Sequence, residues 1–240
     1  MRILITGASG NIGRELVAEL DPHHELLLVD RRGDGSRVVS VDLGQPLRSR
    51  IFRGIDVVIH LAANADEHAT WEAVLKDNIR ATWHVLEAAA QESGARVVFA
   101  SSNWAVKALE RELAPACYEP QGPRIGSDAS PRPLHPYGIS KALGEIAGRS
   151  LVDEGRLRSF LAVRIGAYAP APPAHGEHPL WIGAGDLRAL FRRCVDADAD
   201  GFHVVYGVSA QPTAPYDLSY TRALLGWQPV ELPPSTGAGP

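Results

Sequence analysis

Tyr137 and Lys141, in Tyr137-Gly138-Ile139-Ser140-Lys141, are the pair of residues best suited to acid–base chemistry. A spacing of four places both side chains on one face of a helix. An ammonium beside a phenol favours the phenolate, so Tyr137 can take a proton from an alcohol as general base or return it as general acid. Lys141 can also hold a ribose hydroxyl. Ser101 and Ser102 close the apolar run ARVVFAS at residues 95–101. A hydroxyl at that point can bond a substrate oxygen and stabilise charge as a hydride leaves the adjoining carbon. Asn103 is a candidate amide of the same pocket and Trp104 a candidate apolar wall. Asn78, inside a long helical pattern, reads as a polar residue satisfied at a helix interface.

A second group of residues reads as an anion cradle. Gly7-x-x-Gly10-x-x-Gly13 follows a strand pattern and opens a helix, with Asn11 and Ile12 inside the turn. Gly7 lets the chain turn, Gly10 lets backbone approach a pyrophosphate, and Gly13 lets helix and strand pack closely. Asp30 stands at the tip of the second strand, where a carboxylate can accept hydrogen bonds from both hydroxyls of an adenosine ribose and repel a 2'-phosphate. That favours NAD over NADP, although Arg31 and Arg32 pull the other way. Asp42 and Leu43 end the third strand within reach of an adenine edge, with an N-cap role for Asp42 as the alternative. Leu61, Ala62 and Ala63 follow the fourth strand, and small residues there let backbone pass close to a cofactor.

These residues need a scaffold that gathers strand ends. Apolar runs at 2–6, 26–29, 37–41, 56–60, 95–101 and 159–165 read as strands, with a further candidate at 202–207. Between them lie amphipathic patterns beginning at Ile12, running through about 70–92, and resuming over about 137–153. Short, continuously apolar strands alternating with helices mark a parallel sheet covered on both faces. The fold class is therefore α/β: a Rossmann-type doubly wound parallel sheet of about seven strands, with a small C-terminal substrate-binding appendage. Residues 1–232 are expected to form a single domain. Its substrate-side segments are about 103–136 and 167–232, and residues 233–240 are expected to be a disordered tail. The Pro-rich stretch after a short helix at 105–113 is long for a connection inside a compact domain, which marks it as functional.

Composition narrows the partners. The hydrophobic fraction is 45% and the charged fraction 22%, which are those of a globular chain. A net charge of -4 gives no general attraction to nucleic acid or anionic membrane. Cys117 and Cys194 are the only cysteines, without metal-ligand spacing, and read as two free thiols; no metal is expected. Neither a signal peptide nor a membrane span is apparent, so a cytoplasmic location is expected.

Taken together, TGASGNIG at 6–13, Asp30, DL at 42–43, HLAA at 60–63, Asn78, SS at 101–102, YGISK at 137–141 and VRIG at 163–166 resemble the extended short-chain dehydrogenase/reductase superfamily, the NAD-dependent epimerase/dehydratase family. The resemblance covers about residues 1–229. It implies NAD as cofactor, Ser102, Tyr137 and Lys141 as catalytic residues, and Asn78 as a structural or proton-relay asparagine. It also implies a homodimer packed through helices about 70–92 and 137–153, with Ala100 and Ile165 beside the cofactor.

Within that family, VVFASSNWAV at 97–106, AVRIGAYAP at 162–170, VVYGVSA at 204–210 and LLGWQP at 224–229 are similar to bacterial uronate dehydrogenases. This likeness implies oxidation of the hemiacetal carbon of a sugar-like substrate, with a uronate giving its aldarolactone. Ser102, Asn103, Gly166 and Ala167 then line the sugar site. The chain departs from that pattern at Ala65, where those enzymes carry a pocket serine, and at Trp104, where they carry a histidine. The arginine expected near position 176 to receive a carboxylate is also missing, which leaves His175, His178 or Arg124 as substitutes. A nucleotide-sugar epimerase or dehydratase is disfavoured by the short chain after the sixth strand. A non-catalytic dinucleotide sensor is disfavoured by the complete Ser, Tyr and Lys positions.

Overall fold

A computed structural model of the chain describes residues 1–92, 94–172 and 179–232. In the first half, β1 (Arg2–Thr6) leads through the glycine turn into α1 (Asn11–Leu20). There follow β2 (Glu25–Asp30), β3 (Val38–Ser40) and β4 (Val57–His60). Then come α2 (Trp71–Val74), a π-helical stretch over Leu75–Arg80, α3 (Ala81–Glu92) and β5 (Arg96–Ser102). The second half contains α4 (Lys107–Leu113), α5 (His135–Asp153), β6 (Ser159–Ile165), β7 (Ala167–Tyr168) and β8 (Trp181–Ile182). It ends with α6 (Ala184–Asp196), β9 (Gly201–Gly207) and α7 (Ser219–Leu225).

Among the described residues, seven strands form one sheet in the order β3-β2-β1-β4-β5-β6-β9. Every pairing in it is parallel; Ile5, for example, lies opposite Leu28 on one side and Ile59 on the other. Strands running the same way bring their carboxyl ends to a single edge, and the order reverses beside β1, where such sheets open a crevice. Thr6, Asp30, His60, Ser102 and Ile165 all lie on that edge.

The alternation of side chains along each strand builds two cores. Ile3 and Ile5 join Leu16, Leu20, Leu187 and Phe191 beneath α1 and α6. Leu4 points the other way, joining Val58, Val85, Leu86, Phe99 and Phe160 beneath α3 and α5. Helix α5 lies close on the second face because Gly144 and Gly148 meet the rings of Phe99 and Phe160. A Cβ at either glycine would come within 2.4 Å of them.

Three features depart from a regular strand–helix alternation. The helix over 71–92 loosens into π geometry between Leu75 and Arg80, and this places Asn78 within its irregular turn. Such bulges re-aim a side chain and recur at functional sites. The segment 103–136 is ordered by an apolar cluster of Val106, Ile125, Tyr206, Val208, Ala214 and Tyr216, and by a bridge between Ile125 and Tyr216. Finally, β7 and β8 pair in a separate two-stranded sheet beyond the edge of β6. The expected tail at 233–240 lies outside the described residues.

Candidate active site

The site is built upward from the turn after β1. Gly7 adopts φ +71°, and a Cβ there would stand 2.8 Å from the backbone nitrogen of Ala62. At Gly13 a Cβ would fall 2.3 Å from the Gly7 carbonyl oxygen. A side chain at either position would force apart the turn, the helix and the end of β4. The glycines thus leave an open backbone cradle, with Gly10, Asn11, Ile12 and Gly13 facing the cavity.

Beyond the cradle a cleft of about 180 Å³ is lined by Asp30, Arg31, Asp42, Leu43, Leu61, Ala62 and Ala63. The Asp30 carboxylate is steered by two backbone amides, accepting from Ser9 N at 3.0 Å and Arg32 N at 3.2 Å. Its remaining lone pairs suit a vicinal diol. Arg31 is engaged by Asp77 at 3.1 Å, which opposes its folding back onto a phosphate at Asp30. Asp42 accepts from Gly44 N at 3.0 Å and lies 3.6 Å from the Lys76 ammonium. An acidic diol acceptor beside an amide-lined cradle fits NAD.

On the other side of the cradle lies a cavity of about 610 Å³, bounded by Ala65, Ala100, Ser102, Asn103, Trp104, Tyr137, Lys141, Ile165, Gly166 and Ala167. Burial raises the Tyr137 phenol above its usual range, and a hydrogen bond with Ser102 pulls partly the other way. Ser102 Oγ donates to Asn103 Oδ1 at 3.1 Å and accepts from Trp104 N at 3.2 Å, so the hydroxyl is held in place. Lys141 is buried and donates to the Ala100 carbonyl at 2.7 Å. Burial lowers its ammonium to about 8, so it keeps its charge at neutral pH. Its Nζ is 5.6 Å from the centre of the Tyr137 ring. The expected lowering of the phenol by Lys141 is not found: burial governs Tyr137, and the ammonium is committed to a carbonyl on β5.

Supports beneath the cavity set these positions. Asn78 lines neither opening. Its Oδ1 accepts from Asn64 N at 2.7 Å, while Nδ2 donates to Asn64 O and Ser140 Oγ, each at 3.0 Å. Every polar atom of that side chain is thus used to tie Asn64, just beyond β4, to α5.

The face of α5 that carries Tyr137 and Lys141 continues to Glu145. That buried carboxylate accepts Arg164 Nε at 3.0 Å, Arg164 Nη2 at 2.8 Å and Ser101 Oγ at 2.5 Å. Arg164 also donates to the Ala129 carbonyl at 3.1 Å and the Tyr206 hydroxyl at 3.0 Å, so one guanidinium pins β6, α5 and the segment 103–136 together. His60 sits buried between Thr6 and Thr82 hydroxyls at 2.7 and 3.0 Å.

Several lining residues escaped the sequence reading: Glu67, Lys107, Tyr168 and Leu180. Lys107 stands five residues beyond Ser102, a signal that was present but has no motif to announce it. Arg124 is not a candidate receiver for a substrate charge. Its guanidinium donates to the carbonyls of Cys117, Glu119, Pro120, Gly122, Pro123 and Pro212, which folds the loop around it. His175, His178 and the position near 176 lie outside the described residues. Cys194 is buried, its thiol pushed up to about 12, and Cys117 is likewise raised by burial.

Comparison with known proteins adds the following. The description of the NAD dependent epimerase/dehydratase family matches residues 3–178. NAD-dependent glucose-6-phosphate dehydrogenase of Haloferax volcanii is 33% identical, spanning 95% of this chain and 93% of its own length. Uronate dehydrogenase of Agrobacterium fabrum is 32% identical over 96% of this chain and 84% of that protein. The crystal structure of a tyrosine-to-alanine mutant of uronate dehydrogenase from Agrobacterium tumefaciens, complexed with NAD, superposes with a TM-score of 0.79. It shares 31% identity, covering 96% of this chain and 84% of that one.

Proposed function

The chain belongs to the NAD dependent epimerase/dehydratase family, and from that premise we propose that it is an NAD-dependent dehydrogenase oxidising the hemiacetal carbon of a sugar, with uronates among its candidate substrates. The observation that carries this reading is the meeting of Tyr137, Ser102 and Lys141 in one cavity that shares Gly7 and Gly10 with the cleft around Asp30. NAD bound across these openings supplies the hydride acceptor. Tyr137 takes the proton of the sugar hydroxyl. Ser102, fixed by Asn103 and the Trp104 amide, holds the same oxygen and stabilises the charge that develops on it. Lys141 keeps a positive charge beside the phenol and the ribose position. Trp104 and Ala167 border the sugar, and Ala65 leaves room where a larger side chain would intrude.

Sugar dehydrogenases among the relatives, one named as NAD-dependent, and a similar uronate dehydrogenase structure complexed with NAD support the same assignment. A raised phenol loses its proton more readily as pH increases, so turnover should climb from neutral into alkaline conditions. Exposed apolar side chains on the two long helices, Trp71, Trp83, Leu143 and Ile146, support a homodimer through helices 70–92 and 137–153. The segments 103–136 and 167–232 are read as the substrate side of a single domain. Among the described residues, no helix is long and apolar enough to cross a membrane.

The test is NADH formation by purified protein with NAD and a panel of glucuronate, galacturonate, glucose 6-phosphate, their neutral parent sugars and simple secondary alcohols. Turnover of at least one sugar that disappears in Tyr137→Phe is the expected result. Turnover only of simple alcohols, or undiminished turnover in Tyr137→Phe, would overturn the assignment.

A further inference from the structure

We infer that Lys107 is the receiver of an anionic group on the sugar, so that this site selects sugars bearing a carboxylate or phosphate over their neutral counterparts; the inference rests on the sugar-dehydrogenase reading above. Two ammonium groups line the cavity among the described residues, Lys141 and Lys107. Lys141 is tied to the Ala100 carbonyl beside the reacting centre. Lys107 stands over Trp104, its Nζ 5.2 Å from the centre of the indole ring. It therefore offers the cavity a second positive charge, held by partners different from those of Lys141.

The surroundings of Lys107 are those of a constructed charge site and not of a surface lysine. Its ammonium is bonded to Glu110, a carboxylate only 1% exposed. Glu110 takes further hydrogen bonds from the hydroxyls of Tyr118 at 2.5 Å and Tyr216 at 2.6 Å. A buried carboxylate with these three donors is already satisfied, so it orients the ammonium without consuming all of its N–H groups. An ammonium has three donors and Glu110 accepts one, which leaves two for an oxyanion in the cavity. Such charge-assisted bonds are the strong ones.

Lys107 also shares the chemical cavity: it lines the same space as Asn103 and Ser102, and Asn103 Oδ1 receives the Ser102 hydroxyl at 3.1 Å. The Lys107–Glu110–Tyr216 contacts therefore hold the anion receiver in the same cavity as the reacting oxygen. One carboxylate, Glu67, also lines the cavity among the described residues, but it is exposed and lies 3.6 Å from His68. The segment's arginines, Arg111, Arg124 and Arg132, do not line the cavity; Arg124 is used up by carbonyls and Arg132 pairs with Glu112 at 2.8 Å. Lys107 accordingly fills the part that a carboxylate-binding arginine would play.

Calorimetric binding of glucose, glucuronate and glucose 6-phosphate to NADH-loaded protein tests this independently of turnover. In the intact protein at least one anionic sugar should bind tenfold or more tightly than glucose. Lys107→Met should remove that preference, weakening the anionic sugar on the order of ten- to a hundredfold while glucose is unchanged. Lys107→Arg should retain most of it. Lys107→Met combined with Glu110→Gln removes both charges of the pair, guarding against a fold destabilised by an unpaired Glu110, and should show the same loss. Preference for glucuronate identifies a carboxylate and preference for glucose 6-phosphate a phosphate. Equal binding of all three sugars, binding of none, or an anion preference that survives both charge-removing proteins overturns the role of Lys107. NADH formation in parallel reports on the dehydrogenase reading: turnover without a Lys107-dependent preference sinks this inference alone.

Discussion

The two ends of the site are made in different ways. The cofactor end is made of backbone: Gly7, Gly10 and Gly13 lie within seven residues of one another, and their carbonyls, amides and missing side chains shape the cradle. The substrate end is made of side chains brought from far apart. Lys107, Tyr118 and Tyr216 share the Glu110 carboxylate, and Arg164 joins Glu145 to Ala129. A backbone cradle depends on a local turn and has little to rearrange. A buried polar network depends on every partner, so losing one leaves the others without hydrogen bonds. The first kind of site suits a cofactor common to many enzymes, and the second can be changed residue by residue to suit a substrate.

The largest effect expected from this contrast is on Glu110→Ala. It strips Lys107, Tyr118 and Tyr216 of their common acceptor and should cost about 3–5 kcal/mol of stability, the range for breaking a buried ionic network. Urea denaturation measures it, and NADH affinity under folded conditions should stay within about twofold of the original because the cradle is untouched. A large loss of NADH affinity would mean that the two ends are not independent.

His60, beneath the cradle, gives the next effect. Burial, and secondarily the Lys141 charge, lower its imidazole from 6.5 to about 3. Below pH 6.5 the unfolded chain therefore takes up a proton that the folded chain refuses until about pH 3. The stability contribution is complete above pH 6.5 and is lost progressively as pH falls through that window. Between about pH 7 and 4.5 the His60 share of the loss should be about 2–3 kcal/mol. A His60→Gln protein should lack that slope; parallel pH curves for the two proteins would sink the account.

A smaller change is expected for Gly13→Ala. The added methyl meets the Gly7 carbonyl and must displace the turn, which should weaken NADH binding by roughly 1–3 kcal/mol, read by fluorescence titration. Stability should fall less than in Glu110→Ala. If Gly13→Ala instead left the cofactor affinity intact, the cradle would not be the rigid backbone device described here.

The smallest effect is that of Asp30→Ala, about 1 kcal/mol off NAD binding through loss of a diol acceptor. The ratio of NADP to NAD usage should rise in steady-state assays, since the repulsion of a 2'-phosphate goes with the carboxylate. An unchanged ratio would assign cofactor choice elsewhere, with Arg31 and Arg32 the first to examine.

What the sequence alone determined is the part governed by near neighbours. Strand periodicity, the glycine spacing and the i to i+4 relation of Tyr137 and Lys141 act over a few residues, and the seven-stranded parallel order follows from short apolar strands joined by helices. The lining of both openings by Asp30, Leu43, Ser102, Asn103 and Gly166 was likewise legible, because parallel strands deliver their ends to one edge. Tertiary structure alone decided the rest. The π-helical turn from which Asn78 ties Asn64 to α5, the consumption of Arg124 by carbonyls from two segments, and the Glu145–Arg164 pair each join residues with no local signature. So does the seat of Lys107, where Glu110 is aimed by a tyrosine 106 positions further along the chain. A turn is decided by the conformations its own residues allow, whereas a buried charge is stable only where distant donors converge, and that convergence exists only once the chain has packed.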